Sequence, residues 1–215
     1  MTLSLGGLWR YPVKSMAGEP LPAAQLTELG VPGDRLVWVR GPEGVRTARR
    51  QYKLLGLHGS LASGGTVLVN GHPWDSDDAA ALVRDAAGDD AWLERAPTGH
   101  QFDILPLLVA TDGAVQRFGR DIRRLRPNLL INGVDGMDET TWPGAELRIN
   151  DVVIELDSMR PRCPMTTVDP DTITRDPAVL KDIGRRFGGS LALNASVRRG
   201  GAIAVGAPVR LVRDA

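Results

Sequence analysis

The only cysteine of the chain, Cys163, lies in the segment SMRPRCPMTTVDP, between two prolines and beside two arginines. The positive charges of Arg160 and Arg162 are predicted to favour the thiolate over the thiol. Pro161 and Pro164 restrict the backbone on both sides of the cysteine and so limit the directions in which its side chain can point. A thiolate of this kind suits nucleophilic attack or the coordination of a soft metal ion.

Other interpretations of Cys163 compete with this one. Free cysteine is among the most buried residue types, so it could act as a small buried hydrophobe. A phosphatase-type loop would place an arginine six residues further on, where the chain has Asp169. A Cys–His pair would require His58, His72 or His100, all distant in sequence. No cysteine or histidine lies at zinc-ligand spacing from Cys163, so a metal bound here must bring most of its own ligands.

The overall composition narrows the function classes. The 215 residues are 42% hydrophobic and 24% charged, with 26 basic and 26 acidic side chains. A net charge of zero argues against nucleic-acid binding through a broad basic face. One cysteine cannot hold an iron–sulfur cluster, which needs about four thiolates, so any electrons must come from another protein. No signal peptide and no apolar run of about 18 residues occurs, which predicts a cytoplasmic protein without a membrane partner.

Short segments between frequent glycines and prolines, 25 and 15 in number, predict a mainly β fold of the α+β class with few short helices. Hairpins are predicted at Asn70-Gly71 and at Asn150-Asp151. Further strands are predicted at residues 2–10, 24–29, 35–40, 128–132, 191–197 and 202–212.

Helix start and stop signals predict three helices. One covers residues 75–88, with acidic residues in its first turn and a glycine at its end. A second covers residues 112–127, capped by Asp112. A third covers residues 176–189, capped by Asp176 with a proline at its first helical position. The weak periodicity of residues 87–105 predicts a join there between two domains, residues 1–100 and residues 101–215.

Four motifs in order resemble one known family. They are YPVKSMAGEPL, GVPGDRLVWV, RPNLLINGVDGMDETTW and RPRCPMTTVDPDT. Together they resemble the MOSC-domain proteins, specifically the amidoxime-reducing branch with an N-terminal MOSC β-barrel domain. The resemblance covers nearly the whole chain and implies a β-barrel MOSC core preceded by a smaller β-rich domain. One departure is Ala207, which stands where the family usually has aspartate, and the segment before it matches only loosely.

The resemblance implies a molybdenum cofactor, Mo-molybdopterin, with Cys163 as the metal ligand and the catalytic residue. One protein ligand would suffice, because the pterin supplies two sulfur donors. The residues whose positions match cofactor contacts of the family are Lys14, Ser15, Arg35, Arg126 and Asn128, and Arg162 resembles the arginine that precedes the family's ligand cysteine. Thr111 and Asp112 open the predicted second helix, so their backbone N–H groups are predicted to face the cofactor.

Two further segments carry site predictions from the same resemblance. In TARRQ, a strand would turn one arginine inward, and Arg50 is the predicted one rather than Arg49. In MTTVDP, Thr166 and Thr167 are predicted to support Cys163, while Asp169 either lines the pocket or starts a turn.

The function implied by the resemblance is the reduction of N-hydroxylated compounds such as amidoximes, hydroxylamines and N-hydroxylated bases. The electron donor would be a ferredoxin, a flavodoxin or a cytochrome b5-like protein served by an NAD(P)H reductase. Two alternatives remain: a carrier that holds molybdenum cofactor, or sulfur as a persulfide on Cys163, and a β-barrel interaction module without cofactor.

Overall fold

The computed structural model describes residues 2–99 and 101–213. Within them the chain is mainly β with a barrel, as predicted, and the barrel is closed and has seven strands. The strands, in chain order β1 to β16, are Leu3–Arg10, Glu19–Pro20, Ala23–Leu26, Val37–Gly41, Gly44–Arg46, Gly59–Leu61, Val67–Val69, His72–Pro73, Trp92–Arg95, Leu107–Thr111, Leu129–Asn132, Glu146–Ile149, Val152–Pro161, Ser190–Arg199, Gly201–Ala204 and Pro208–Val212. The α-helices α1 to α3 are Asp77–Ala87, Asp112–Phe118 and Pro177–Phe187, and the 3₁₀ helices are Tyr52–Gly56, Ile122–Arg124, Asp138–Thr141 and Pro164–Thr167.

The barrel strands follow the order β1, β11, β10, β14, β13, β12 and β16, and β16 returns to β1. Neighbours are antiparallel except β10 and β11, which run parallel. Closure pairs Leu8 with Leu129 on one side of β1 and Leu3 with Val209 on the other. Because closure leaves no free edge, every barrel strand has two hydrogen-bonded neighbours.

A smaller lobe packs beside the barrel. It contains the β4-β5-β9 sheet, the β6-β7-β8 sheet and α1. Its separate core includes Val13, Val37, Leu54, Val69 and Val83. Strand β9 lies within the weakly periodic region and pairs with β4, so the chain is still part of this lobe just before it enters the barrel.

Strand β1 belongs to the barrel, although it comes first in the chain. Its Leu5 and Leu8 are buried in the barrel core together with Leu129 and Leu147. The chain therefore begins in the barrel, passes through the smaller lobe and returns to the barrel at β10. The domain division near residue 100 stays a prediction.

The predicted second helix is wrong in length. Helix α2 ends at Phe118, because Gly119 takes a left-handed conformation with φ of 68° and the chain continues as a separate 3₁₀ helix. Its cap is also different: Thr111, not Asp112, accepts the hydrogen bond from the Ala114 amide. The other two helices agree with prediction, with Ser76 and Asp176 as caps.

The two predicted hairpins are present. Strands β7 and β8 join at Asn70 and Gly71, which have φ of 49° and 86°, and β12 and β13 join at Asn150 with φ of 53°. The predicted strand 202–212 is two strands, β15 and β16, separated by a turn containing Gly206 with φ of 90°. Among the helices in the described ranges, none has the length and apolar character needed to span a membrane.

Candidate functional site

A cleft of about 280 Å³ lies between the barrel and the smaller lobe, and Cys163 is part of its lining. Lys14, Ser15 and Arg35 reach it from the segments that follow β1. The end of β13 and the loop before β11 supply the barrel side. The lining includes the basic residues Lys14, Arg35, Arg49, Arg124, Arg126, Arg160 and Arg162, and one carboxylate, that of Asp103.

Cys163 is partly exposed and lies at a break in backbone structure. Strand β13 ends at Pro161, and Cys163 caps the 3₁₀ helix that begins at Pro164. The Thr166 hydroxyl donates to the Cys163 carbonyl at 2.9 Å, and the Thr167 hydroxyl donates to the Pro164 carbonyl at 2.6 Å. Both threonines are buried outside the cleft lining, so they fix the backbone that carries the thiol and do not touch the cleft.

Arg162 is anchored by backbone carbonyls. Its Nη2 donates to the Leu125 carbonyl at 2.8 Å, and its Nη1 reaches the Leu191 carbonyl at 3.5 Å. Burial lowers the pKa of Arg162 to about 10, against the opposing effect of negative charge at Cys163. Its Nε is buried without a hydrogen-bond partner among the described residues. A buried donor left unpaired in this way is a position where a ligand acceptor would restore a lost hydrogen bond.

Arg126 and Arg35 lie against aromatic rings. The Arg126 guanidinium is 4.3 Å from the centre of the Tyr11 ring and donates to the Met16 carbonyl. Arg35 lies 5.8 Å from Tyr11 and 5.5 Å from Phe102. Burial lowers the pKa of Arg126 to about 10, and the nearby Arg35 charge acts in the same direction. Stacking holds both planar cations in place without neutralising them.

Asn128 supports the cleft from behind. It is fully buried, accepts from the Leu108 amide at 3.1 Å and donates to Asp34 at 3.3 Å. Asp34 is paired with Arg35 and accepts from the Tyr11 amide at 2.6 Å. Burial raises the pKa of Asp34, against the Arg35 charge and these hydrogen bonds. Asn128 therefore acts on the cleft through Asp34 and Arg35 and is absent from the lining.

Backbone strain concentrates at this cleft. Ser15, Arg35 and Arg126 have φ of 71°, 53° and 57°, in the left-handed region that residues other than glycine rarely adopt. Each such residue costs about 1–3 kcal/mol and persists only where the surrounding structure enforces it. All three residues line the cleft, so the strained backbone conformations are found where polar side chains are directed into it.

Besides Asn128, three residues predicted to contact a cofactor lie outside the cleft lining: Thr111, Asp112 and Arg50. Thr111 donates to Glu139 at 2.7 Å, and the Asp112 carboxylate accepts from the amides of Gly133 and Val134 at 2.8 and 3.0 Å. Both polar groups thus contact the protein itself, outside the cleft lining. Arg50 is exposed and also outside the lining, because the segment forms a turn where a strand was predicted.

The sequence-based predictions missed several lining residues. Arg49 lies in the cleft in place of Arg50, and Asp103 comes from the segment between the two lobes. Arg124 is nearly buried and joins two motifs, since it donates to Asp169 at 2.7 Å and to the Thr166 carbonyl at 3.3 Å. The only available signal was the proximity of Arg49 and Arg124 to the motifs.

Asp169 and Ala207 are structural. Asp169 accepts hydrogen bonds from the amides of Asp171 and Thr172, so it starts a turn, which was one of its two predicted roles. Ala207 lies in the turn between β15 and β16, where its carbonyl accepts from the Leu5 amide at 2.9 Å. The departure from the family pattern at Ala207 is therefore remote from the cleft lining.

The donor set of the cleft fits an anion that carries its own metal ligands. Within residues 2–99 and 101–213, no three His, Cys, Asp or Glu side chains converge as a metal site. His58 and His72 lie outside the cleft lining, and His100 lies outside the described residues. A pterin dithiolene cofactor needs a single protein sulfur, and Cys163 can supply it. Such a cofactor also has a phosphate group, which suits the many cations of the cleft and the unpaired Nε of Arg162.

Comparisons with known proteins link the chain to amidoxime-reducing relatives. It is 38% identical to mitochondrial amidoxime reducing component 2 of Macaca fascicularis over 76 residues, 33% of this chain and 22% of that protein. It is 26% identical to mitochondrial amidoxime-reducing component 1 of Homo sapiens over 226 aligned positions, 77% of this chain and 66% of that protein. The chain thus matches only about a fifth of the length of the first relative.

A third relative and one solved structure extend the comparison. Molybdenum cofactor sulfurase 2 of Culex quinquefasciatus is 33% identical over 70 residues, 33% of this chain and 9% of that protein. The crystal structure of the YUAD protein from Bacillus subtilis superposes with a TM-score of 0.56 at 14% identity, covering 100% of this chain and 98% of that one. That likeness shows a shared fold.

Two family models divide the chain between them. The MOSC N-terminal beta barrel domain matches residues 2–98, and the MOSC domain matches residues 106–210. The second match contains Cys163 and most of the barrel strands, while the first contains Lys14, Ser15 and Arg35. The chain belongs to the MOSC-domain proteins that carry a MOSC N-terminal β-barrel domain.

Proposed function

We propose that this protein is a molybdenum-cofactor-dependent reductase of N-hydroxylated compounds such as amidoximes, hydroxylamines and N-hydroxylated bases. The observation that carries the proposal is the position of Cys163, a partly exposed thiol in a cleft lined by basic side chains. The names of the amidoxime-reducing relatives support the same reaction class.

The residues proposed to hold the cofactor are those that the cleft brings together. Cys163 would be the metal ligand, and Arg162, Arg126 and Arg35 would donate to the anionic and polar groups of the cofactor. Lys14 would add a point charge near them. When bound, the cofactor supplies the two-electron redox chemistry at its molybdenum. The other predicted site residues would act by positioning: Ser15 by its strained backbone, Asn128 through Asp34, and Thr166 and Thr167 through the Cys163 backbone.

The reaction balances with an external electron donor. Reduction of R–NHOH to R–NH2 breaks the N–O bond and consumes two electrons and two protons, and the oxygen leaves as water. One cysteine cannot hold an iron–sulfur cluster, so we propose that a separate protein delivers the electrons. A ferredoxin, flavodoxin or cytochrome b5-like protein served by an NAD(P)H reductase is the proposed donor class.

Metal content and activity together test the proposal. Protein made in a host that builds the pterin should contain close to stoichiometric molybdenum by elemental analysis and should reduce benzamidoxime with a chemical electron donor. Cys163→Ser should lose both the metal and the activity. A double variant that adds Ser63→Cys, in an exposed turn, restores the thiol count at the wrong place and should stay inactive. Full activity of Cys163→Ser would refute the proposed role of the thiol.

A carrier function is the second candidate, favoured by the partial exposure of Cys163 and by the relative named molybdenum cofactor sulfurase 2. In that case Cys163 would hold sulfur as a persulfide or hold the cofactor for transfer. Mass spectrometry separates the two candidates, because a thiol-removable gain of one sulfur atom on Cys163 without bound pterin supports the carrier.

A further inference from the structure

The one carboxylate in the cleft lining sits where several cations converge. Asp103 Oδ1 lies 2.6 Å from Lys14 Nζ, and Asp103 Oδ2 lies 2.7 Å from Arg49 Nη2. The distance from Asp103 Oδ2 to Arg160 Nη2 is 3.8 Å. These cations come from three different parts of the fold: the segment after β1, the turn before the first 3₁₀ helix, and the end of β13. The Asp103 carboxylate thus occupies a position that is built to hold negative charge.

Asp103 belongs to a segment without regular secondary structure, residues 101–105, which we call the strap. The strap joins the smaller lobe to the barrel and forms part of the cleft wall. Polar contacts hold it: Lys14 Nζ donates to the Gln101 carbonyl at 3.3 Å, and Phe102 lies under Arg35. Ile104 is 52% exposed, so little apolar burial fixes this part of the strap. Gln101 is buried, whereas Asp103 and Ile104 are exposed, so the middle of the strap has few buried contacts, and such segments open at low free-energy cost.

The charge state of Asp103 agrees with this picture. Burial raises its pKa, but the hydrogen bond from Lys14 and the charges of Lys14, Arg49 and Arg160 together outweigh burial and lower the pKa below its ordinary value. Asp103 is therefore an anion at neutral pH. Three cations that can grip a carboxylate can equally grip a phosphate, which carries more charge and more acceptor oxygens.

We propose that Asp103 is a built-in competitor for the anion position formed by Lys14, Arg49 and Arg160, and that an incoming tetrahedral oxyanion of the phosphate class displaces it and releases the strap. The inference does not depend on the proposed reduction, since it concerns only the ligand-free cleft and its cations. It identifies Asp103 as a residue that sets the affinity of the cleft for anions.

Competition between the Asp103 carboxylate and an incoming anion changes the apparent dissociation constant of the anion. A ligand that binds only when the site is vacant shows an apparent dissociation constant raised by the inverse of the vacant fraction. If Asp103 occupies the position in about nine molecules out of ten, its removal should tighten anion binding by about tenfold.

The experiment uses inorganic phosphate as the probe and isothermal titration calorimetry as the readout. Asp103→Asn should bind phosphate about tenfold more tightly than the wild type. Asp90→Asn is the matched control, because it removes one carboxylate paired with an arginine at 2.7 Å but lies outside the cleft lining. It should change the dissociation constant by less than about twofold. Asp103→Ser should behave like Asp103→Asn.

Hydrogen exchange distinguishes displacement from a simple change of net charge. Phosphate should speed amide exchange in residues 101–105 of the wild type, and Asp103→Asn should show the faster exchange without phosphate. Equal or weaker phosphate binding by both Asp103 variants, absence of saturable binding, or exchange in the strap that does not respond to phosphate would each overturn the inference.

Discussion

Two arginine-rich regions lie at opposite ends of the same strands. The cleft is at the end of β13, where Pro161 pairs with Ser190, and a second group of arginines surrounds its beginning, where Val153 pairs with Arg199. At about 3.3 Å per residue, Val153 and Pro161 are roughly 26 Å apart along β13. We call the second group the far face; it comprises Arg148, Arg198, Arg199 and Arg210.

The two regions treat the same side chain differently. On the far face, Arg148 pairs with Glu146 and Arg198 pairs with Glu155, each at 2.9 Å, and the two arginine side chains are 42% and 65% exposed. In the cleft, Arg162 instead donates to backbone carbonyls, and burial lowers its pKa. Carbonyls orient a guanidinium but leave its charge available, whereas carboxylates neutralise it. Most other cations of the cleft pair with carboxylates, as those of the far face do. Burial and carbonyl partners therefore single out Arg162 and Arg126 as the cations whose charge stays available.

The largest expected contrast concerns the support behind the cleft. Asn128→Leu removes the partner of the buried Leu108 amide, of the buried Asp34 carboxylate and of the partly buried Trp9 carbonyl. It should lower the free energy of unfolding by about 3 kcal/mol. Asn150 lies in the hairpin beside the far face and has a positive φ, which glycine also adopts readily. Asn150→Gly should therefore change the free energy of unfolding by less than about 0.5 kcal/mol. Urea titration measures both, and equal effects would show that the buried network contributes nothing special.

Anion affinity should separate the two regions next. Arg160→Met removes one of the three cations of the anion position around Asp103, and phosphate should bind about tenfold more weakly by calorimetry. Arg210→Met, on the far face, should leave the dissociation constant within about twofold. A loss of affinity in Arg210→Met as large as in Arg160→Met would place the anion site elsewhere.

The pH dependence of stability gives a third contrast. Arg126 and Arg162 have a pKa of about 10 in the folded protein, below the ordinary value that they have in the unfolded chain. Between these two pKa values the unfolded chain binds more protons than the folded protein does. The free energy of unfolding therefore rises with pH in this range. Relative to an Arg126→Met/Arg162→Met variant, the wild type should gain stability as the pH rises above about 9, with most of the gain above about pH 10. Urea titrations at several pH values measure the free energy of unfolding of each variant. The difference between the wild type and Arg210→Met should not change with pH over the same range.

The smallest effect is expected from the exposed ion pair of the far face. Glu155→Gln removes the pair with Arg198 and should change the free energy of unfolding by less than about 0.5 kcal/mol, because exposed ion pairs are screened by water and salt. Thermal unfolding at low and high salt provides the check. A loss of several kcal/mol would mean that the far face is as tightly organised as the cleft.

Local sequence signals predicted much of the fold. Turn residues such as Asn70-Gly71, helix signals such as the Asp176 cap and the terminal Gly88, and the frequent glycines and prolines predicted hairpins, helices and the β-rich class, because these features act through neighbours in the chain. The same local logic failed at Gly119, where a left-handed glycine ended a helix that the apolar stripe would have continued. A hydrophobic stripe reports which side chains face a core but not whether the helix is continuous between them.

The candidate site was predicted in part. Motif resemblance pointed to Lys14, Arg35, Arg126, Arg162 and Cys163, and the structure brings all of them to one cleft. The motifs did not reveal which neighbouring residues share it, such as Arg49 in place of Arg50. Side-chain direction in a turn depends on contacts distant in sequence, and here the partner of Arg49 is Asp103.

By itself, the sequence determined the kind of chemistry available: one thiol, flanked by prolines that restrict the backbone and by arginines, in a chain with no second cysteine. Only the tertiary structure decided which cations surround that thiol and which are neutralised elsewhere. Barrel closure brings β1 beside β11, so Tyr11 can stack on Arg126 and the backbone is held in strained conformations at Ser15, Arg35 and Arg126. The reason is that charge availability depends on burial and on partners distant in sequence, which no local pattern of residues records.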